Sequence, residues 1–123
     1  MPRETNAYGT IFGGVILSYI DQAGLVQALR CGHHKWVTAS IERVDFRSPV
    51  HLGDVVTLWT KVVRQGTTSI TVNVEVVAER CRIDVEQCEP VTVTNATLTM
   101  VAVGKDDRPI PFKTPPTADI RTR

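Results

Sequence analysis

The sequence predicts an α+β domain in which a strongly curved antiparallel β-sheet wraps around one long central helix, and three observations lead there. Residues from about Gly14 to Leu29 lack proline and carry apolar side chains at helical spacing on nearly every side, so the helix they form calls for enclosure. Four later runs have the alternation and the β-branched content of strands. The chain of 123 residues is one domain, residues 1–123, long enough for a single core.

Composition narrows the function classes. With 42% hydrophobic and 22% charged residues and a net charge of +1, the chain reads as a soluble globular protein, and no basic run or stripe points to nucleic acid. Cys31, Cys81 and Cys88 are odd in number and lack metal-ligand spacing, and His33, His34 and His51 do not complete a set. The thiols are therefore expected to be reduced and structural, with no metal. The apolar run after Ile11 contains Ser18, Asp21 and Gln22 and lacks a basic leader or cleavage site, so it is read as neither signal peptide nor membrane span. A cytoplasmic location follows as an expectation.

The elements follow in order. Met1–Thr5 are short and polar, able at most to start an edge strand. After the helix, Cys31-Gly32 supplies a stop, the glycine suiting the left-handed closing position. From Trp36 to Phe46, Val37, Ala39 and Ile41 share one face before Val44 and Phe46 take over, a phase slip that places a bulge at Glu42-Arg43. Pro49, Gly53 and Asp54 make a turn. Val55–Arg64 is a strand, Gln65-Gly66-Thr67-Thr68 a tight connection, and Ser69–Ala78 a half-buried antiparallel strand. Glu79–Pro90 reads as a charged surface loop and Val91–Val103 as the last strand. Residues 104–123 form a tail in which Pro109, Pro111, Pro115 and Pro116 preclude a regular element. Val, Ile and Trp residues left on the sheet's outer face are expected to meet another subunit.

Asp21 is the single acid in this apolar helix. The positions three and four residues away hold Leu17, Ser18, Gly24 and Leu25, none of them cationic. Burying an unpaired carboxylate is costly, so Asp21 faces water, a partner from elsewhere, or a cleft where its basicity is used. Gly24 removes a side chain beside it and Ser18 adds a hydroxyl one turn back. Gly13 and Gly14 lie at the helix start, where free backbone N–H groups favour developing negative charge; close packing against a strand is the other use of glycine there. Seven residues of helix put Asp21 about 10 Å along the axis from Gly14, too far for one carbonyl to touch both. If they act on one bond, the Gly14 end of one helix meets the Asp21 of another in a dimer with antiparallel helices.

Three linked blocks carry a resemblance over nearly the whole chain: Asn6-Ala7-Tyr8-Gly9-Thr10-Ile11-Phe12-Gly13-Gly14 followed by Asp21-Gln22-Ala23-Gly24; Phe46-Arg47-Ser48-Pro49-Val50 with Gly53-Asp54; and Gly66-Thr67-Thr68-Ser69. In their order and spacing the sequence resembles the hotdog-fold acyl-CoA thioesterases of the YciA-like and cytosolic acyl-CoA hydrolase branch. The resemblance implies hydrolysis of acyl-CoA to a free acid and coenzyme A at a dimer interface, with no cofactor beyond the substrate's own coenzyme A. It implies that Asp21 is the general base or nucleophile, that Asn6 orients water or thioester, and that the Gly13 and Gly14 amides polarise the thioester carbonyl. Gly66, Thr67, Thr68 and Ser69 would approach pantetheine or phosphates, with Arg64 a phosphate partner. A homodimer is the minimal unit it implies, assembled as a trimer of dimers, without nucleic acid or membrane. The rival readings are a non-catalytic acyl-CoA sensor or carrier on the same fold and a structural oligomeric module. A dehydratase is disfavoured because no histidine lies in the helix-opening segment.

Overall fold

The computed structural model describes residues 13–82 and 87–113, apart from the side chains at 81, 82 and 87. In chain order these form helix α1 (Gly13–Cys31) and strands β1 (Lys35–Phe46), β2 (Val55–Gln65), β3 (Ser69–Arg82) and β4 (Gln87–Val103). The strands make one antiparallel sheet in the order β1-β4-β3-β2, so β1 and β2 are its edges among the described residues. The helix lies on one face of that sheet.

Strict alternation builds that face. Ile70, Val72, Val74, Val76 and Ala78 of β3 and Ala96, Leu98, Met100 and Ala102 of β4 are buried beneath α1, which contributes Ile16, Ile20 and Ala28. Full burial of each large aliphatic side chain contributes about 1.5–3 kcal/mol, so these rows hold helix and sheet together. Gly24 is the point of closest approach: a Cβ there would lie 3.0 Å from Leu98 Cδ2. Its small size thus serves helix–sheet packing, a correction to the expectation that it clears space beside Asp21.

The helix is not enclosed by its own sheet. Its sheet-facing stripe is buried, but Tyr19, Leu25 and Val26 remain exposed. A single four-stranded sheet covers only one side of a cylinder, and the uncovered side is mixed, carrying Tyr19, Leu25 and Val26 beside Ser18, Asp21, Gln22 and Arg30. The sheet's outer face is more polar than expected, since the outward positions of β3 and β4 include Thr71, Asn73, Glu75, Asn95, Thr97 and Thr99. Asn73 Nδ2 donates to Asn95 Oδ1 at 2.5 Å across that face. Its exposed apolar residues include Val37, Val55 and Trp59, whereas Ile41, paired with buried Leu98, belongs to the helix side.

Strand β1 carries the expected bulge between Glu42 and Asp45, with Arg43 at φ 55°, and a second between Thr38 and Ser40. That second slip separates Val37 from Ile41, which the alternation had put on one face. Trp36 and Thr38 pair with buried Ala102 and Met100 and so face the helix, while Val37 faces out. The turn before β2 forms as predicted, with Gly53 at φ 93° and Asp54 accepting from the His51 amide at 2.9 Å. Arg80 reaches over from β3, donating to Asp54 Oδ2 at 3.2 Å and to the Pro49 carbonyl.

Four further expectations are corrected. Ladder pairing extends β3 to Arg82 and begins β4 at Gln87, so most of Glu79–Pro90 is strand rather than loop. Cys88 is disulfide-bonded, against the expectation of reduced thiols, while Cys31 is free. Gly32 is not left-handed, and it serves instead to let the Phe112 carbonyl approach to 2.9 Å of where a Cβ would stand. The tail folds back as far as the structure describes it: Pro109 bridges to Val103, and Phe112 is buried in the core. Residues 114–123 lie outside the described residues.

Candidate active site

The helix flank that faces β1 carries Asp21. Its carboxylate is exposed, and its Oδ1 accepts a 2.5 Å hydrogen bond from Thr38 Oγ1. Thr38 reaches it because the bulge after this residue leaves it on the inner face of an edge strand, with Met100 Sδ 3.4 Å from the same hydroxyl oxygen. Among the described residues nothing else hydrogen-bonds the carboxylate and no cation pairs with it. Ser18, expected to share its face, accepts instead from Gln22 Nε2 at 3.3 Å. Among the described residues the result is an acceptor with one oxygen fixed and one without a partner, beside strand β1 at the edge of the sheet.

The helix start lies elsewhere in the same chain. Gly13 opens α1 and packs its bare Cα against strand β1, where the Phe46 ring is 3.6 Å from the position of a Cβ. Gly14 is exposed. Both amides are among the first N–H groups of the helix and have no intrahelical acceptor. The structure does not bring them to Asp21 within one chain, since the helical rise separates Gly14 from it by about 10 Å. Asn6 lies outside the described residues.

The turn between β2 and β3 is tightly tied. Gly66 N–H donates to the Ser69 carbonyl at 2.8 Å, Ala102 N–H to the Thr68 carbonyl at 2.9 Å and Phe112 N–H to the Thr67 carbonyl at 3.1 Å. Gly66 and Thr67 are exposed; Thr68 and Ser69 are half-buried. Arg64 is exposed and pairs with outward-facing Thr71, so it stands on the face of the sheet opposite Asp21. Thr38 and Ile70 share a cross-strand row through Met100, which puts the start of β3 about 10 Å across the sheet from Thr38.

The family model described as the thioesterase superfamily matches residues 8–84. The chain belongs to the thioesterase superfamily. An acyl-CoA thioester hydrolase YciA of Salmonella typhimurium is 38% identical over 91% of this chain and 84% of its own length. A hexameric hotdog-fold thioesterase of Campylobacter jejuni matches with a TM-score of 0.84 at 42% identity, over 92% of this chain and 84% of that one. A hexameric broad-specificity acyl-coenzyme A thioesterase matches with a TM-score of 0.82 at 35% identity, over 93% and 76%. The fold is accordingly the hotdog fold.

Within this thioesterase, Thr38 is the partner of Asp21 that the sequence pattern did not reveal. Simple alternation put Val37, Ala39 and Ile41 on one face and Thr38 on the other, whereas Thr38 and Ile41 share the helix side. Only the bulge at Ala39 allows this, and a single small residue gives no local sign of one. Among the described residues no group of three or more His, Cys, Asp or Glu side chains could hold a metal, and no helix is long and apolar enough to cross a membrane.

Proposed function

We propose that the chain hydrolyses acyl-CoA thioesters to a free acid and coenzyme A, at a site completed by a second copy of itself. The observation that carries this reading is the Asp21 carboxylate, held through one oxygen by Thr38 of β1, an edge strand among the described residues. The names borne by its relatives, acyl-CoA thioester hydrolase and acyl-coenzyme A thioesterase, support the substrate class. Hexameric relatives support assembly of three such dimers. Coenzyme A thioesters are intracellular metabolites, which favours a cytoplasmic site of action.

Symmetry supplies the missing half. If β1 pairs antiparallel with its own copy about its middle, the partner's Phe46 falls opposite Lys35, and the helix start packed on it turns back toward the row of Thr38 and Asp21. The exposed Leu25 and Val26 of α1 then gain a cover. In this arrangement Asp21 takes a proton from water as the water oxygen bonds to the thioester carbonyl carbon. The oxyanion that forms faces the Gly13 and Gly14 amides of the partner subunit. Its collapse breaks the C–S bond, and the proton held by Asp21 passes to the departing sulfur. Direct attack by Asp21, giving an anhydride that water then opens, uses the same residues. Arg64 and the Gly66–Ser69 turn contact the coenzyme A part, and Asn6 orients water or thioester.

The test is steady-state release of free thiol from a panel of acyl-CoAs, for wild type and Asp21→Ala. Turnover by the wild type and its loss in a folded, still oligomeric variant are expected. Saturable binding without release in the wild type would instead identify a sensor or carrier, and undiminished hydrolysis by the variant would remove Asp21 from the chemistry.

A further inference from the structure

Thr67 and Thr68 both direct their carbonyls inward, to Phe112 N–H and Ala102 N–H respectively. In a trans peptide the C=O of one residue and the N–H of the next point in opposite directions, so fixing the Thr67 carbonyl inward aims the Thr68 N–H outward. Among the described residues that N–H has no acceptor. A backbone donor with no internal partner, on an exposed turn and locked in direction from behind, is a preorganised contact for a ligand oxygen.

What locks it is the returning chain after β4. Gly104 N–H donates to the Arg108 carbonyl at 2.9 Å and Ile110 N–H to the Ala102 carbonyl at 2.9 Å, which brings Phe112 under the turn. The Phe112 ring is buried, 5.7 Å between centroids from Trp36. Its carbonyl accepts a 2.6 Å hydrogen bond from Nε2 of His34, a residue only 2% exposed. A carbonyl can only accept, so Nε2 carries the proton. Trp36 Nε1 is anchored in turn on the Gly32 carbonyl at 2.9 Å. Gly32, His34 and Phe112 therefore form one clamp, because a Cβ on Gly32 would meet the Phe112 carbonyl at 2.9 Å and His34 Cδ2 at 3.0 Å.

We propose that residues 109–112 form a strap that sets the Thr67–Thr68 peptide so that the Thr68 N–H donates to an oxygen of coenzyme A, with His34 as the positioning residue that holds the strap. This rests on the reading of the Gly66–Ser69 turn as the coenzyme A contact. The acceptor is a phosphate oxygen or a pantetheine amide carbonyl; the chemistry is the same.

The experiment compares acyl-CoA, acyl-pantetheine and the acyl thioester of N-acetylcysteamine as substrates for wild type, His34→Ala, Gly32→Ala and His34→Gln. His34→Ala removes the donor, and Gly32→Ala crowds both the Phe112 carbonyl and the His34 ring, forcing donor and acceptor apart. Both are expected to raise KM for acyl-CoA about tenfold, the worth of one oriented hydrogen bond, with kcat and the N-acetylcysteamine thioester unaffected. His34→Gln, whose amide can donate to the same carbonyl, is expected to restore KM. A KM effect shared by acyl-pantetheine assigns the pantetheine amide; one confined to acyl-CoA assigns a phosphate. Equal losses on all three thioesters, or an unchanged KM in both variants while the wild type still prefers acyl-CoA, would overturn the strap alone. A wild type that does not distinguish acyl-CoA from the truncated thioester would overturn the assignment of the turn as well. Should the Ala variants not fold, amide exchange on the wild type decides: coenzyme A is expected to slow exchange at Phe112, and unchanged exchange there with coenzyme A bound rejects the coupling.

Discussion

Thr38 and Thr60 stand on the two edge strands, and each reaches across to the helix, but they meet different groups. Thr38 donates to the Asp21 carboxylate at 2.5 Å and Thr60 to the Gln27 amide oxygen at 2.8 Å. An amide oxygen satisfied by a hydroxyl is neutral, and little is left for it to do. A carboxylate is acceptor only and charged, and one hydroxyl leaves most of its capacity unused. Both flanks are thus built alike, yet the β2 side meets the helix through a neutral amide while the β1 side presents an oriented carboxylate. The two flanks differ in the acceptor rather than in the scaffold.

The sharpest way to break that contrast is to make the two flanks the same. Asp21→Asn keeps an oxygen for Thr38 to donate to, so fold, melting temperature and assembly are expected to persist. Removing the charge is expected to lower kcat for acyl-CoA about 10³-fold, in the range of lost general-base or nucleophilic catalysis. Stopped-flow or thiol-release assays read this directly. An Asn variant with near-native kcat would mean that the β1 flank is as inert as the other.

Thr38→Val comes next. It matches the shape of threonine and leaves the carboxylate charged but unheld. Hydrogen bonds to charged groups are worth more than neutral ones, and a loss of about tenfold in kcat is expected, with KM for acyl-CoA little changed. A rise in KM with unchanged kcat would instead place Thr38 in substrate binding.

This contrast also marks what the sequence could and could not reveal. The helix, the four strands, the bulge at Arg43 and the oddity of Asp21 were legible, because periodicity and charge are local properties. Thr38 was not, because its facing depends on a one-residue slip at Ala39 that is set by pairing with β4. Gly24 was misread as making room for a carboxylate, since whether a helical glycine looks sideways or down onto Leu98 depends on how the helix is rolled on the sheet. Arg64 shows the same limit: its charge was visible in the chain, but its place on the outer face emerges only from the register with Thr71. The folded-back tail was hidden for a related reason. Proline excludes regular elements, yet Phe112 needs none to fill the space between Trp36 and the β2–β3 turn.

The smallest expected effect is the one that makes the comparison quantitative. Thr60→Val strips the hydroxyl from the β2 flank and leaves the half-buried Gln27 Oε1 without that donor. A lost neutral hydrogen bond of this kind costs about 1 kcal/mol, which for a domain of this size lowers the melting temperature by about 4 °C. Turnover is expected to stay at the wild-type level, because no charge on that flank depends on the threonine. Calorimetry and thiol release on the same preparation give both numbers. If Thr60→Val cost activity as Thr38→Val does, the losses would reflect a general loosening of the helix on its sheet, and orientation of Asp21 by Thr38 would no longer explain either. If it costs stability alone, the same substitution on the two edges separates packing from catalysis within a single helix.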